Sequence, residues 1–283
     1  MANAAETDGP LLVVDGDSFA HRAYHAVPRS VRRAGGRAGN AIVGFANTLL
    51  RLVEAERPRA VFVGWDTLAE PNWRARLFPD YQGGRDFEDD IVEQLDRLPE
   101  LMAALAIPCG KGGAWEADDF IASAATAEAA RGGTALVASG DRDAFQLASD
   151  AVTILHPVKG GGMARIGPAE VVERYGVRPE QVPDFIALRG DPSDRIPGAR
   201  GVGAVTAASL LKRHATLEEM LAEGRFEGQV EALRLYRRLA GMVRDLPLPP
   251  MPSAVPDWAG GAALARQWEL NGLADRLEQL AAA

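Results

Sequence analysis

Residues 11–18 read LLVVDGDS, an apolar run that ends in two acids on either side of a glycine. Four consecutive apolar residues followed by turn-forming residues are typical of a buried strand in a parallel sheet. The pattern returns twice, in residues 60–65 before Asp66 and in residues 134–140 before Asp141. Because ligands bind at the carboxyl edge of open parallel sheets, the pattern predicts that these acids converge in one crevice.

Carboxylates gathered at one sheet edge repel one another unless a cation neutralises them. Hard divalent cations, which prefer oxygen ligands, are the usual partners of such carboxylates. Further acids extend the pattern, since Glu116, Asp118 and Asp119 open a predicted helix and Asp143 follows Asp141. Acids in the first turn of a helix are by themselves a common response to the helix dipole. Beside the acids that end the strands, they predict additional ligands of one metal site.

The composition is typical of a globular protein that stays out of the membrane. Hydrophobic residues make up 47% of the 283 residues, and no apolar run approaches the roughly 20 residues that a bilayer requires. The amino end lacks the basic start and apolar centre of a secretory signal, which predicts a cytoplasmic protein. The single cysteine, Cys109, cannot form an internal disulfide and is predicted to be buried rather than catalytic.

The net charge of −8 argues superficially against a nucleic-acid partner, because phosphate binding is largely electrostatic. If the clustered acids hold divalent cations, however, the remaining charges are nearly balanced. A basic stretch follows the first acid and contains Arg22, Arg29, Arg32, Arg33 and Arg37. Such a stretch is either a phosphate-binding surface or a solvated loop, and the sequence leaves both open.

Predicted strands and helices alternate through the first half of the chain, which is the pattern of an α/β fold with a mostly parallel central sheet flanked by helices. Besides the three strands that end in acids, the sequence predicts helices at 40–56, at 91–105, from 116 and from about 143, and short strands at 106–108 and 152–155. From residue 168 onward the pattern is helical. The predicted organisation is a core of residues 1–167 with an irregular segment at about 67–90, a helical region of residues 168–245, and a linker with a final packing helix in residues 246–283.

A glycine-rich motif lies inside the predicted helical region. Residues 190–198 read GDPSDRIPG, and Gly201-Val202-Gly203 then opens an apolar helix whose packing side carries Ala207, Leu210 and Leu211. This arrangement predicts a helix-hairpin-helix, in which glycines let the backbone approach a phosphate and the amides at the helix start bind it without reading sequence. The alternative is an ordinary tight turn between two helices.

Several motifs together resemble those of a known family. They are Val14-Asp15-Gly16-Asp17-Ser18, Asp66, Trp73-Arg74, residues 81–85, Glu116-Ala117-Asp118-Asp119, Ser139-Gly140-Asp141-Arg142-Asp143, residues 190–198 and Gly201-Val202-Gly203. In order and spacing they resemble the 5′ nuclease family, which comprises the amino-terminal domain of bacterial DNA polymerase I, flap endonucleases and 5′ to 3′ exonucleases. The resemblance is nearly full length. It implies a PIN-like nuclease core with an arch segment at residues 67–90, followed by a helix-hairpin-helix region.

The resemblance also implies the chemistry. A member of the family hydrolyses DNA phosphodiester bonds by a two-metal-ion mechanism, as a 5′ flap endonuclease or a 5′ to 3′ exonuclease in replication and repair. One ion is assigned mainly to Asp15, Asp66, Glu116, Asp118 and Asp119, and the second to Asp141, Asp143, Asp191 and Asp194. The expected ions are Mg²⁺ or Mn²⁺, and no protein nucleophile is needed.

The DNA contacts follow from the same resemblance. Arg74 and Arg85 are expected to contact phosphate, and Tyr24 is expected either to stack on a base or to lie in the core. The hairpin at Gly201 and Gly203 is expected to grip the duplex, with K⁺ as a possible ion held by backbone carbonyls. The expected partner is DNA with 5′ ends, flaps or junctions, and RNA primers are a further candidate. The chain is expected to act as a stand-alone monomer, with any cooperating DNA polymerase on a separate chain.

The chain departs from the family pattern in its arch segment. Family members usually carry a lysine after the tyrosine, where it polarises the scissile phosphate, but Gln82 follows Tyr81 in this chain. Loss of a cation aimed at the transition state costs several kcal/mol, which leaves three outcomes open: weak activity, altered specificity, or rescue by Arg85. Val205 likewise stands in the hairpin where relatives often have lysine, which predicts a looser grip on DNA.

Two alternatives stay open at the level of sequence. A catalytically weakened protein that binds DNA structures would keep the hairpin and the arginines, and Gln82 is its main support. A phosphatase of the haloacid dehalogenase type would use Asp15 as its nucleophile, because Asp15-Gly16-Asp17 after a strand fits that pattern. The phosphatase interpretation leaves the acids at 116–119 and the helical hairpin unexplained, and its required lysine has no convincing position.

Overall fold

The computed structural model describes residues 9–67, 71–83 and 87–282 of the chain. The strands are β1 (Leu11–Asp15), β2 (Arg32–Arg33), β3 (Arg37–Ala38), β4 (Ala60–Gly64), β5 (Cys109–Gly110), β6 (Ala135–Ala138), β7 (Val152–Pro157) and β8 (Met163–Ile166). The helices are α1 (Gly16–Ala26), α2 (Asn40–Glu56), α3 (Trp73–Leu77), α4 (Asp89–Ala104), α5 (Ala117–Ala130), α6 (Pro168–Tyr175), α7 (Val182–Arg189), α8 (Ala204–Arg213), α9 (Leu217–Ala222), α10 (Val230–Ala240), α11 (Trp258–Gln267) and α12 (Asn271–Ala281).

The central sheet has six strands in the order β5-β4-β1-β6-β7-β8. All neighbours pair in parallel except β8, which runs antiparallel to β7 at the edge. Val14 of β1 lies level with Val63 of β4 and with Ala138 of β6, so the acids that follow these strands meet at one edge. The chain order reverses across β1, which makes this carboxyl edge a topological switch point.

Each face of the sheet is covered by its own hydrophobic core. Side chains alternate along β1, so that Leu11 and Val13 pack with α5 and with the helices that follow the sheet. Leu12 and Val14 face the opposite core, which α1, α2, α4, α11 and α12 complete. Every residue of β1 and β4 is buried, which explains why both strands are apolar up to Asp15 and Gly64 at their ends.

The helical region after β8 shares its core with the sheet. Buried side chains of α7, α8 and α10, among them Phe185, Leu211 and Leu233, belong to the same hydrophobic cluster as Val13 and Val137. The proline-rich segment at 246–256 is fastened to the sheet, because the Ala254 amide donates to the Arg59 carbonyl at 2.9 Å. The division into residues 1–167, 168–245 and 246–283 stays a prediction, since the parts pack on one sheet.

The predicted α/β fold with a mostly parallel sheet flanked by helices is confirmed. None of the described helices is both long and apolar enough to cross a membrane.

Several local predictions are corrected. Helix α1 starts where no helix was predicted, because Asp15 caps it and accepts a hydrogen bond from the Ser18 amide. The strand predicted at 106–108 forms at β5, where it pairs with β4. The helix predicted near Asp143 is a short 3₁₀-helix, β8 was not predicted, and two helices end the chain rather than one.

Candidate active site

A cavity of about 330 Å³ opens at the carboxyl edge of β1, β4 and β6. Its lining is dominated by carboxylates, which come from β1 and the start of α1, from the end of β4, from the start of α5 and from the loop after β6: Asp15, Asp17, Asp66, Glu116, Asp118 and Asp141. Gln82 and Phe87 complete one wall. The acids that the sequence placed at three strand ends are therefore brought together.

Backbone amides and hydroxyls hold the acids of β1 and β4 in place. The Asp15 carboxylate accepts hydrogen bonds from the Ser18 amide at 3.0 Å and from the Ser139 hydroxyl at 2.7 Å, which ties β1 to the end of β6. Asp17 accepts from the Asp66 amide at 2.7 Å. Asp66 in turn accepts from the Ala117 amide at 2.7 Å, which ties the end of β4 to the start of α5.

Asp17 is a residue of this cavity that the sequence analysis did not include among the candidate ligands. It is 7% exposed, lines the cavity and orients the backbone of Asp66. A signal for it is present in the sequence, because it lies two residues after Asp15 at the start of the first helix. We call Asp15, Asp17, Asp66, Glu116 and Asp118 the first acid group.

Asp119 has a different place from its neighbours at the start of α5. Its carboxylate is fully buried and accepts hydrogen bonds from Arg74, from the Trp73 indole at 3.0 Å and from the Val243 amide at 3.0 Å. These donors occupy the lone pairs of both oxygens. The structure therefore does not support the predicted role of Asp119 as a metal ligand. Asp119 instead anchors α5 to α3 and to the segment that follows α10.

Arg74 is placed differently from the prediction as well. It is 2% exposed and donates to Glu116, to Asp119 and to the backbone carbonyls of Leu239 and Gly241. A guanidinium has five N–H donors, and the five hydrogen bonds of Arg74 use all of them. It thus cannot offer a donor to a DNA phosphate in this arrangement, because it neutralises the acids at the start of α5.

The remaining acids form a second acid group, which we define as Asp141, Asp143, Asp191 and Asp194. Asp141 lines the cavity and accepts from the Asp143 amide at 2.9 Å. Burial, and then repulsion by the other three acids, raises the pKa of Asp143 well above its usual range.

Short contacts position the two acids of the 190–198 loop. Asp191 pairs with Arg189 at 2.9 Å and accepts from the Ser193 amide at 2.8 Å. Asp194 accepts from the Gln82 side-chain amide at 3.0 Å and from the Tyr81 hydroxyl at 3.4 Å. The backbone amide of Gln82 also donates to the Asp194 carbonyl at 3.3 Å. The described base of the arch segment is thus joined to the second acid group.

The electrostatics of the cavity suit a cation. Burial, together with smaller contributions from the nearby charges of Asp66 and Asp141, raises the pKa of Asp15 to about 7. Burial also raises the pKa of Glu116 to about 7, although Arg74 opposes the shift. For Asp118, burial followed by the charge of Asp15 acts in the same direction. A positive ion would relieve the repulsion, and a donor set made only of carboxylates fits hard ions such as Mg²⁺ and Mn²⁺. Within the described ranges no three such groups already stand in metal-ligand geometry.

The residues predicted to touch DNA differ in their exposure. The Tyr24 ring is 2% exposed and packs in the core, with its hydroxyl donating to Glu88 at 3.0 Å, so the core alternative is the one the structure favours. Arg85 lies outside the described residues. In the basic stretch, Arg33 is buried and pairs with Glu93, and Arg29 pairs with Glu88, so α4 and the residue before it neutralise part of that stretch.

The predicted hairpin is formed by α7, the loop at 190–203 and α8. Gly201 adopts a left-handed conformation with φ of 74°, which favours glycine. Gly203 precedes α8, and the first turn of that helix is exposed, with Val205 86% exposed. The first amides of a helix have no partners within it. Gly201 and Gly203 thus lie where backbone amides are available to a phosphate.

Sequence comparison decides the family. The model of the "5′-3′ exonuclease, N-terminal resolvase-like domain" matches residues 10–176, and that of the "5′-3′ exonuclease, C-terminal SAM fold" matches residues 177–257. The chain belongs to the 5′-3′ exonuclease family. A 5′-3′ exonuclease of Mycobacterium tuberculosis is 36% identical over 234 residues, which cover 75% of this chain and 73% of that protein. DNA polymerase I of the same organism is 38% identical over 257 residues, which cover 87% of this chain but 28% of the polymerase.

Solved structures show the same fold. The T5 5′-exonuclease with bound zinc ions superposes with a TM-score of 0.68 at 18% identity, covering 96% of this chain and 99% of that one. The catalytic core of Rad2 in complex with DNA substrate gives a TM-score of 0.60 at 15% identity, with coverages of 95% and 92%. The PIN-like fold expected for a 5′-3′ exonuclease is confirmed by these neighbours.

Family membership also excludes one of the two alternatives, the phosphatase. The interpretation as a phosphatase of the haloacid dehalogenase type is wrong, because both regions of the chain match the 5′-3′ exonuclease family. The structure supplies a physical reason. Asp15 is 4% exposed, and two hydrogen bonds hold its carboxylate, so it is a poor nucleophile for attack on a small phosphate ester.

Proposed function

We propose that this chain is a structure-specific 5′ nuclease that hydrolyses phosphodiester bonds of DNA at 5′ flaps or 5′ ends with the help of divalent ions. The observation that carries the proposal is the cavity at the switch point of the sheet, into which five separate parts of the chain deliver carboxylates or an amide. Membership of the 5′-3′ exonuclease family supports the same conclusion.

In this proposal, carboxylates of the chain hold the divalent ions, and neighbouring residues keep those carboxylates in position. Asp15, Asp66, Glu116 and Asp118 would hold one ion, and Asp141, Asp143, Asp191 and Asp194 would hold the second. Two such ions supply a nucleophilic water at neutral pH and stabilise the oxygen that leaves. Asp17 keeps the Asp66 backbone in position, and Arg74 with Asp119 keeps the start of α5 in position. No side chain needs to form a covalent bond with the substrate.

The α7–α8 hairpin would bind the duplex through its backbone. Amides at Gly201, Gly203 and the start of α8 are suited to phosphate oxygens, and such contacts carry no sequence information. Specificity would then depend on DNA structure. Arg85 stays a candidate contact in the arch segment.

Finer expectations belong to the same proposal. Mg²⁺ or Mn²⁺ would be the working ions, and K⁺ would bind backbone carbonyls of the hairpin. DNA with 5′ ends, flaps or junctions would be the substrate, and RNA primers a further one. A monomeric state, a cooperating DNA polymerase and a cytoplasmic location complete the expectation.

A flap substrate labelled at each end in turn tests the function directly. The wild-type chain is expected to cut it with Mg²⁺ or Mn²⁺ and not with a chelator present. Asp143→Ala is expected to slow cutting by at least about a hundredfold, because a charge of the metal-binding set is lost. Asp150→Ala is the matched control, since Asp150 is exposed at the start of β7, at the opposite edge of the sheet. Product lengths distinguish cutting at the flap junction from stepwise removal of nucleotides.

The weakened DNA-binding protein stays the second candidate, and Gln82 is the observation that favours it. Its neutral amide occupies the cavity wall next to Asp194, where a cation would be expected to meet the scissile phosphate. If the wild-type chain binds the flap substrate but leaves it intact with either ion, this second function replaces the first. Cutting that disappears in Asp143→Ala and persists in Asp150→Ala excludes it.

A further inference from the structure

Arg195 is an exposed cation at the border between the arch segment and the second acid group. It follows Asp194, whose carboxylate and carbonyl are both bonded by Gln82. Its guanidinium lies against the backbone of Gly83, with Nη1 3.1 Å from the position that a Cβ on Gly83 would occupy. The absence of a side chain at Gly83 leaves the room for this guanidinium.

The backbone of Arg195 is held in an unusual conformation. Its φ is +58°, a left-handed value that costs energy for a residue other than glycine or asparagine. The loop closes tightly, since Asp191 and Ile196 exchange two backbone hydrogen bonds of 2.8 Å. Strained residues persist where the surrounding structure over-determines them, and such positions cluster at functional sites.

Asp191 and Asp194, which lie on the same loop as Arg195, have other partners. Among the described residues the Arg195 guanidinium takes part in no ion pair, although acids surround the loop. Asp194, its neighbour, accepts instead from Gln82 and Tyr81, and Asp191 pairs with Arg189. Arg74, by contrast, is fully occupied by the acids at the start of α5 and by two backbone carbonyls. Arg195 is therefore a cation that DNA can reach beside the cavity.

We propose that Arg195 supplies the positive contact to the scissile or adjacent DNA phosphate that Gln82 cannot supply. The inference deepens the proposed nuclease function and rests on it for the catalytic part of its test. Gln82 places a neutral amide on the cavity wall. The Arg195 guanidinium lies next to Gly83, which is the residue after Gln82. A guanidinium is well suited to this role because its planar fork can bind two phosphate oxygens at once.

Arg195→Asn is the most informative variant, because asparagine tolerates the left-handed backbone and removes only the charge and the long side chain. Arg57→Asn is its matched control. Arg57 is also exposed and also left-handed, with φ of 45°, but it ends α2 at the amino edge of the sheet, away from the cavity. Differences between the two variants thus report on location rather than on loss of one surface charge or on backbone strain.

Two measurements are made on a 5′-flap DNA. The first is the single-turnover cutting rate with Mg²⁺, which Arg195→Asn is expected to lower by at least about tenfold, less than the hundredfold typical of a buried donor because Arg195 is exposed. The second is equilibrium binding in a chelator across a salt series. Affinity decreases with salt, and the steepness of this decrease on a double-logarithmic plot is expected to be smaller by about 1 in Arg195→Asn than in the wild-type chain. Arg57→Asn is expected to reduce the steepness by a clearly smaller amount.

A double variant sharpens the assignment. Gln82→Lys introduces an ammonium beside the position that Arg195 serves, so the cutting rate lost in Arg195→Asn is expected to return at least in part in Gln82→Lys/Arg195→Asn. The proposal is overturned if Arg195→Asn and Arg57→Asn have equal salt slopes and equal rates. It is also overturned if Gln82→Lys changes the cutting rate by the same factor in the wild-type chain and in Arg195→Asn, since the two positions are then independent.

The binding measurement separates this inference from the nuclease function itself. If the wild-type chain binds the flap but does not cut it, the nuclease function fails, and the salt slopes alone decide whether Arg195 contacts phosphate. If the wild-type chain cuts and Arg195→Asn leaves both rate and slope unchanged, the nuclease function stands and the role of Arg195 is rejected.

Discussion

The two acid groups of this molecule are built in different ways. The first acid group stands on strand ends and on the starts of α1 and α5. Backbone amides and the Ser139 hydroxyl hold its aspartates of β1, α1 and β4, and Arg74 holds Glu116. The second acid group stands on the loop after β6 and on the 190–198 loop, and side chains such as Arg189 and Gln82 hold it. Asp141 belongs to the second group and lines the cavity of the first.

The two acid groups also differ in how far other side chains compensate the negative charges of their carboxylates. In the first acid group, burial disfavours the charged form of Asp15 and Asp118, and repulsion by neighbouring acids adds to this effect, which a cation would relieve. In the second acid group, two of the four carboxylates, Asp191 and Asp194, already accept hydrogen bonds from side chains. Removing the charge of Asp118 should consequently stabilise the protein, whereas removing the charge of Asp191, which Arg189 neutralises, should destabilise it.

The largest expected effect comes from the ion pair beneath the first acid group. Arg74→Ala leaves Glu116 and Asp119 buried without their cation, which should lower the free energy of unfolding by about 3–5 kcal/mol. Urea unfolding monitored by circular dichroism measures it. Arg57→Ala, on the surface, should change stability by less than about 0.5 kcal/mol. Equal losses in the two variants would show that Arg74 is not essential to the frame.

Asp118→Asn should separate stability from activity in the first acid group. Since burial and the charge of Asp15 raise the pKa of Asp118, the neutral amide should increase the free energy of unfolding at pH 8 in a chelator by about 1–2 kcal/mol. The cutting rate with Mg²⁺ should fall by at least about a hundredfold, because a metal-binding charge is lost. A loss of stability in this variant would contradict the view that these carboxylates are held in repulsion.

Asp191→Asn should have the opposite sign in the second acid group. It removes the charge that faces Arg189 while the Ser193 amide keeps an acceptor, so the free energy of unfolding should fall by about 0.5–1 kcal/mol. The same urea experiment in a chelator measures it beside Asp118→Asn. If both variants are stabilised by equal amounts, the two groups do not differ in the way described.

Cys109 gives the smallest effect and reports on the sheet edge beside the first acid group. Burial raises the pKa of its thiol to about 11, so little thiolate is present near neutral pH. The rate of reaction with a disulfide reagent should be well below that of free cysteine at pH 7 and should rise by about tenfold per pH unit up to pH 9. Reaction as fast as that of free cysteine would indicate that β5 opens readily.

Strand-end acids were predictable because strand periodicity and chain direction are local properties. A short apolar run bounded by turn residues is typical of a central strand, and the residue that follows such a strand lies at the carboxyl edge. The glycines of the hairpin were predictable for a similar reason, since Gly201 needs a left-handed backbone that few residues adopt. Helix α1 escaped prediction because its polar composition resembles that of a loop.

Individual roles within a motif were not predictable. Asp118 and Asp119 are neighbours in the sequence, yet one lines the cavity and the other is enclosed by Arg74, which lies 45 residues earlier in the chain. Tyr24 was expected to stack on a base or to pack in the core, and the position of the residue before α4 decided for packing. Such outcomes depend on contacts between distant elements, which no local pattern contains.

The sequence by itself determined the α/β order of elements, the sheet edge to which the acids are delivered and the family to which the chain belongs, because each rests on short-range spacing of residue types. Only the tertiary structure decided which acids face the cavity and that Asp17 is one of them. It also decided that Arg74 pairs with Asp119 and that Arg195 lies beside Gly83. The physical reason is that charge pairing and burial are set by side chains brought together across the fold, and these energies depend on distance and not on position in the chain.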